Sequence, residues 1–81
     1  MPHVIVKMYS GRSEEQKRKL AEAVMNAVMA VTGNGEESIS VRIEDVAPSN
    51  WTEKVYKPDI ENGGGKLYKR PGYGPLASSK L

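Results

Sequence analysis

Residues 37–46 read ESISVRIEDV and carry the clearest pattern in the chain. Apolar side chains occupy every second position, at Ile39, Val41 and Ile43, and polar side chains occupy the positions between them. Successive side chains of a strand point to opposite faces, so this alternation places the apolar ones together on one face. The stretch is therefore predicted to be a half-buried strand.

The preceding residues, 10–35, read SGRSEEQKRKLAEAVMNAVMAVTGNG and predict one long helix with both ends marked. Ser13 is the expected N-cap, and Gln16 three residues later completes a capping box that satisfies two unpaired N–H groups. Gly33 and Gly35 are expected to end the helix, since glycine is favoured just past a helix C-terminus. Apolar residues at helical spacing predict a buried stripe of Leu20, Val24, Ala27, Val28 and Val31.

A second strand is predicted near the start of the chain, in residues 3–9. There Val4, Val6 and Met8 alternate with residues of more mixed character. A strand, a long helix and a strand make a β-α-β unit, whose two strands run parallel and cross over right-handedly. The predicted fold class is therefore α/β, with one such unit as the whole framework.

The pattern weakens after Pro48. A helical turn is expected before Pro58, and residues 61–66, ENGGGK, read as a flexible break. Residues 66–76, KLYKRPGYGPL, predict a short strand or extended segment. We expect one domain over residues 1–75, followed by a frayed tail at 76–81.

The size of the chain, 81 residues, limits how it can be stabilised. A domain this small buries little surface, and two parallel strands with one helix leave both sheet edges exposed. The sequence has no cysteine and one histidine, so we expect no disulfide and no metal site. We therefore expect a dimer, in which the β-α-β units of two copies of the chain join into one four-stranded sheet.

Charge and hydropathy exclude other classes of partner. The net charge is +2 with both signs interspersed, which is far from the basic density of a nucleic-acid-binding surface. No apolar run approaches the roughly 18 residues of a membrane span. No charged-then-apolar leader is recognisable, so we expect a cytoplasmic protein with neither a nucleic-acid nor a membrane partner.

Pro2 raises a chemical question, because proline cannot donate a backbone hydrogen bond at the start of a strand. Removal of Met1 by a methionine aminopeptidase would leave Pro2 with a free secondary amine. An α-amino group titrates near 8, so a rigidly held ring nitrogen could act as a general base close to neutral pH. The alternative is that proline is merely a common second residue.

Residues 1–20, MPHVIVKMYSGRSEEQKRKL, resemble the start of the 4-oxalocrotonate tautomerase family. The resemblance covers roughly the first fifty residues: the proline, the first strand, the GRS turn, the EEQK helix start and the second strand. It implies the tautomerase β-α-β fold and a catalytic N-terminal proline. Residues 48–51, PSNW, and 67–73, LYKRPGY, look like the longer, dimeric subgroup of small bacterial tautomerases. A hexamer, as in the shortest members, is the alternative assembly.

The resemblance assigns roles to three residues. Pro2 would be the general base and acid, and Arg12 in the GRS turn would bind the substrate carboxylate, which suits the bidentate geometry of arginine. Trp51 falls where the family has an aromatic residue at the pocket wall. The alternatives are a solvated Arg12 ahead of the helix cap and a Trp51 that serves only as a packing anchor.

The second strand departs from the family pattern. Ser40 aligns with an arginine that, in the best-known members, polarises the substrate's carbonyl group. Arg42 lies two residues further, on the same strand face and about 6–7 Å away. It either replaces the missing arginine or pairs with Glu44 or with a neighbouring subunit.

The function expected from these residues is cofactor-independent interconversion of the enol and keto forms of a small 2-oxo acid. Hydratase or dehalogenase chemistry on an unsaturated acid would use the same base, with Glu44 to activate water. A non-catalytic dimeric ligand-binding module is the alternative outside enzymology. If the protein were such a module, its function would not depend on whether Pro2 carries a free amine.

Overall fold

The two predicted strands form a two-stranded parallel sheet. Strand β1 (His3–Tyr9) pairs with strand β2 (Ser40–Val46), in a register that runs from His3 opposite Ser40 to Tyr9 opposite Val46. The structure, a computed structural model, describes residues 1–78. The chain separates into two compact units, residues 1–48 and the described residues from 49 onward.

Helix α1 (Glu14–Thr32) connects the strands of the first unit and has both predicted ends. The Ser13 hydroxyl accepts a hydrogen bond from the Gln16 N–H at 3.1 Å, and the Gln16 side chain accepts one from the Ser13 N–H, also at 3.1 Å. Gly33 ends the helix with a left-handed φ of 77° and donates to the Met29 carbonyl. The capping box and the C-terminal glycine are therefore confirmed.

One face of the sheet lies against α1. The Lys17 Nζ, on the helix, is 2.9 Å from the Asp45 Oδ2, on β2. The hydrogen bond that Lys17 donates to the Asp45 carboxylate, assisted by Glu14, raises the pKa of Lys17 above its usual value. On the opposite face Ile5 and Tyr9 are 47% and 52% exposed, so within one chain this face is open to solvent.

The predicted apolar stripe of α1 is partly wrong. Val31 is 86% exposed and Ala27 is also exposed. The half-covered residues form a stripe rotated toward neighbouring positions: Leu20, Ala21, Val24, Met25, Val28 and Met29. A helix of 19 residues is about 28 Å long, whereas the six steps of a seven-residue strand span about 20 Å, so the sheet is too short to cover the last turn, where Val31 lies. The exposure of Ala27 reflects the rotation of the stripe, because Val28 and Met29 in the same turn stay half-covered.

The second unit contains a helix that the sequence predicted only in part. It spans Thr52–Glu61 and is of π type, as shown by the hydrogen bond from the Asn62 N–H to the Lys57 carbonyl at 3.1 Å. It continues through Pro58, where the sequence predicted its end. Because proline has no N–H, the helix passes Pro58 without the backbone hydrogen bond that another residue would donate there. No helix in residues 1–78 is long and apolar enough to cross a membrane.

Tyr56 is the centre of the second unit and is only 4% exposed. Its hydroxyl donates to the Tyr73 carbonyl at 2.9 Å and accepts from the Leu76 N–H at 3.0 Å. Its ring meets the Tyr73 ring edge-on, with centroids 5.2 Å apart. Gly74 has a φ of 73°, and a Cβ there would lie 2.6 Å from the Tyr56 ring, so glycine allows this close approach.

Tyr56→Phe is expected to lower the free energy of unfolding by about 1–3 kcal/mol, because the Leu76 N–H and the Tyr73 carbonyl lose their partner in a part-buried site. Urea unfolding followed by Trp51 fluorescence measures the change. Tyr68→Phe is the matched control, since Tyr68 is 88% exposed. Equal unfolding midpoints for the two variants would contradict the role given to the Tyr56 hydroxyl.

Beyond Val46, residues 47–78 contain no further strand, so the strand alternative for residues 66–76 is wrong. That segment is a series of bends, and a short 3₁₀ helix follows at Pro75–Ser78. The two prolines of this stretch, Pro71 and Pro75, lack the N–H that a strand ladder needs, and its glycines weaken a strand, which accounts for the missing ladder. The predicted tail, 76–81, falls partly outside the described residues, which end at 78.

Candidate active site

Pro2 lies at the head of β1 and is half-buried. Its carbonyl accepts a hydrogen bond from the Ser40 N–H at 3.2 Å, which continues the parallel ladder by one residue. Because proline needs no donor in this arrangement, the ladder begins on its carbonyl, and the missing N–H is no defect. Met1, which precedes it, is 96% exposed.

Ser40 is also bonded through its side chain. Its Oγ lies 2.6 Å from the Nδ1 of His3, its register partner on β1. Ser40 therefore holds the start of β1 twice, through the backbone of Pro2 and the imidazole of His3. The bond between Ser40 and His3 could not be predicted from the sequence, because the register between distant strands depends on long-range pairing.

Arg42 lies opposite Ile5 in the register, two residues beyond Ser40. Residues of one strand separated by two share a face, so Arg42 and Ser40 are on the same, exposed side of the sheet. Within residues 1–78 Arg42 forms no ion pair with Glu44, although Glu44 is the next residue on that face. The guanidinium is thus available to a group that comes from outside the chain.

Arg12 is exposed and follows β1 at the end opposite to Pro2. Strands rise about 3.3 Å per residue, so the seven steps from Pro2 to Tyr9 alone span roughly 23 Å. That distance far exceeds the length of a small 2-oxo acid. Pro2 and Arg12 of a single chain are therefore not brought together, whereas Pro2 and Ser40 are.

Trp51 belongs to the second unit, where it immediately precedes the π-helix. Its side chain is half-buried, and the indole Nε1 donates to the Tyr73 hydroxyl at 2.7 Å. The ring is consequently held in a fixed orientation, as a packing anchor requires. A fixed orientation would equally suit a pocket wall.

Most of the chain matches the model of a known protein family. The family model described as Tautomerase enzyme matches residues 2–54, which include Pro2, both strands and the helix between them. The chain belongs to the tautomerase family. Enzymes of this family are isomerases, and they act on small molecules.

Relatives in the tautomerase family extend the likeness to the second unit. A probable tautomerase from Xylella fastidiosa is 49% identical over 78 residues, covering 96% of this chain and 95% of its own length. A 2-hydroxymuconate tautomerase from Bacillus subtilis is 49% identical over 51 residues, 63% of this chain and 82% of its own length.

The fold is also that of solved tautomerase structures. A 4-oxalocrotonate tautomerase isozyme from Methylibium petroleiphilum is 40% identical and superposes with a TM-score of 0.60, over 62% of this chain and 81% of that chain. The predicted family and the β-α-β fold with parallel strands are thereby confirmed.

Proposed function

We propose that this isomerase interconverts the enol and keto forms of a small 2-oxo acid, with the secondary amine of Pro2 as general base and acid once Met1 has been removed. The base would take a proton from the enol side of the substrate and return it to carbon. The observation that supports this most directly is the position of Pro2, half-buried and held at the head of β1 by Ser40.

The Pro2 arrangement suits proton transfer for two reasons. A ring nitrogen whose own carbonyl is bonded into a sheet has little freedom, so a proton acceptor stays at one place. An α-amine also has a reference pKa near 8, closer to neutrality than any lysine. Removal of Met1 is required, because while Met1 is attached the Pro2 nitrogen is an amide and cannot accept a proton.

A second copy of the chain is part of the proposal. Arg12 lies too far along β1 to share a small substrate with its own Pro2, and it forms no ion pair within residues 1–78. We therefore assign the substrate carboxylate to the Arg12 of a neighbouring copy, whose fork of donors fits a carboxylate. Ile5 and Tyr9 on the open sheet face are large apolar side chains, 47% and 52% exposed, that an assembly would bury.

Stabilisation of the developing enolate oxygen is assigned to Arg42. The Ser40 hydroxyl, which aligns with the family's arginine, is already bonded to His3 and is a neutral group. Arg42 on the same face carries a permanent charge and has no partner of its own in the described chain. Cationic groups aimed at the charge that develops during proton transfer are a large source of rate acceleration. Trp51 is assigned to the wall that excludes water from this site.

Ketonisation of phenylenolpyruvate or a simple 2-hydroxydienoate, followed by ultraviolet absorbance, tests the proposal. The protein is expected to accelerate conversion well above the buffer rate, with saturation in substrate. The matched measurement uses the corresponding carboxamide, which lacks the charge that Arg12 would bind and should react more slowly. Conversion of both acids at the buffer rate by protein whose mass shows that Met1 is absent would contradict the proposed substrate class.

A further inference from the structure

The second unit contains an arginine with an unsatisfied guanidinium. The Nη1 of Arg70 is shielded from solvent and has no hydrogen-bond partner among residues 1–78. A guanidinium is always charged and carries five N–H donors, and a shielded donor without an acceptor is unfavourable. Native structures leave few such groups, and each one needs a physical explanation, of which a bound ligand is one.

Arg70 also lines a cavity of about 340 Å³, which lies entirely within the second unit. Sites for small molecules typically measure about 300–1,000 Å³. Three consecutive glycines, residues 63–65, form part of the wall, and a Cβ at Gly64 would meet only open space. Leu67 and Leu76 supply an apolar part of the lining. The cavity thus combines room, apolar surface and a cation that lacks an acceptor.

The charges of the lining limit what the cavity can hold. Lys66 and Arg70 contribute two positive charges, and Asp59 and Glu61 contribute two negative ones. Carboxylates in the lining repel a multiply charged anion more strongly than a singly charged carboxylate, which is also small enough to approach the guanidinium alone. Arginine favours such a group because its parallel N–H donors match two carboxylate oxygens.

We propose that this cavity is a second ligand site, which binds a small monocarboxylate through Arg70. A rotation of the guanidinium toward the cavity would bring its donors onto the ligand's oxygens and relieve the unsatisfied Nη1. The site is independent of the proposed function, because it uses none of the residues assigned to proton transfer. Either proposal can therefore fail while the other stands.

The test is titration of the full-length protein with pyruvate, followed by amide chemical shifts in two-dimensional nitrogen–proton spectra at constant ionic strength. Pyruvamide replaces the carboxylate by a neutral group of the same shape, and inorganic phosphate supplies a multiply charged anion. Two variants change the site in different ways: Arg70→Gln removes the cation, and Gly64→Leu places a bulky side chain on the cavity wall while keeping Arg70. Lys54→Gln is the control, since it removes an exposed cation of the same unit outside the cavity lining.

The expected result is saturable shifts at residues 63–66 in the natural protein and in Lys54→Gln, with at least tenfold weaker binding in both site variants. Trp51 fluorescence checks that each variant keeps the fold of the second unit, and if Arg70→Gln does not fold, Gly64→Leu decides. The proposal is overturned if pyruvate leaves residues 63–66 unshifted, if pyruvamide binds as well as pyruvate, or if phosphate binds more tightly. Undiminished binding in a folded site variant would overturn it equally.

Discussion

Protein that retains Met1 is expected to turn over about 10²–10⁴-fold more slowly than protein that begins at Pro2, the range that a positioned general base contributes. The reason is chemical: an amide nitrogen has no basic lone pair, while the secondary amine has one. The retained form is obtained by expression under inhibition of methionine aminopeptidase, with intact mass to show which form is present. The ultraviolet assay of enol-to-keto conversion then compares the two.

Two controls separate lost chemistry from lost structure. Treatment of the Met1-retaining protein with purified aminopeptidase should restore activity in step with the mass change, because nothing else in the chain is altered. Pro2→Ala with Met1 removed keeps an α-amine but loses the ring, so we expect intermediate activity. Equal turnover by the two forms of the natural sequence would show that the base lies elsewhere in the chain.

Arg12→Ala is expected to raise KM by about 10–100-fold, which corresponds to the loss of a charge-assisted hydrogen bond to the substrate carboxylate. Arg18→Ala is the matched control, since Arg18 is also an exposed arginine and lies near the start of α1. Steady-state kinetics on the carboxylate substrate measures the difference. An unchanged KM in Arg12→Ala would leave Arg12 as a solvated residue ahead of the helix cap.

A mixing experiment asks which chain supplies Arg12. The Met1-retaining protein has Arg12 but no amine, and processed Arg12→Ala has the amine but no arginine. If the two groups of a site come from different copies, co-unfolding and refolding an equal mixture should restore about a quarter of the natural activity by random pairing. If the mixture merely shows the mean of the two variants, the site is not shared between chains, and the strand-length argument fails.

Much of the first unit could be predicted because its determinants are local. The capping box of Ser13 and Gln16, the glycine after α1 and the alternation of β2 each act within a few residues, so they are legible in a linear sequence. The stripe of α1 was less predictable, as Val31 shows with its 86% exposure. Burial of a helical position depends on where the covering sheet ends, which periodicity does not reveal.

The residue types of the candidate site could be predicted from the sequence, but their arrangement in space could not. Proline at position 2 and arginine at 12 are visible in the sequence, and so is their chemistry. That Ser40 bonds both Pro2 and His3 depends on strand register, which long-range pairing determines. That Arg12 follows the end of β1 opposite to Pro2, with roughly 23 Å of strand between Pro2 and Tyr9, comes from the extended geometry of β1 and is the reason for proposing that a neighbouring copy supplies the arginine.

The second unit was the least predictable part, for the same physical reason. Its helix passes through Pro58. Its buried Tyr56 forms hydrogen bonds through the hydroxyl with the backbone of Tyr73 and Leu76, residues 17 and 20 positions away. The sequence by itself determined the β-α-β framework, the family and the residues able to do proton chemistry, because short-range periodicity and capping encode them. Only the tertiary structure decided which of those residues are in contact and which donors, such as the Arg70 Nη1, have no hydrogen-bond partner. The reason is that side-chain partners depend on distances in space, which the linear order of residues does not contain.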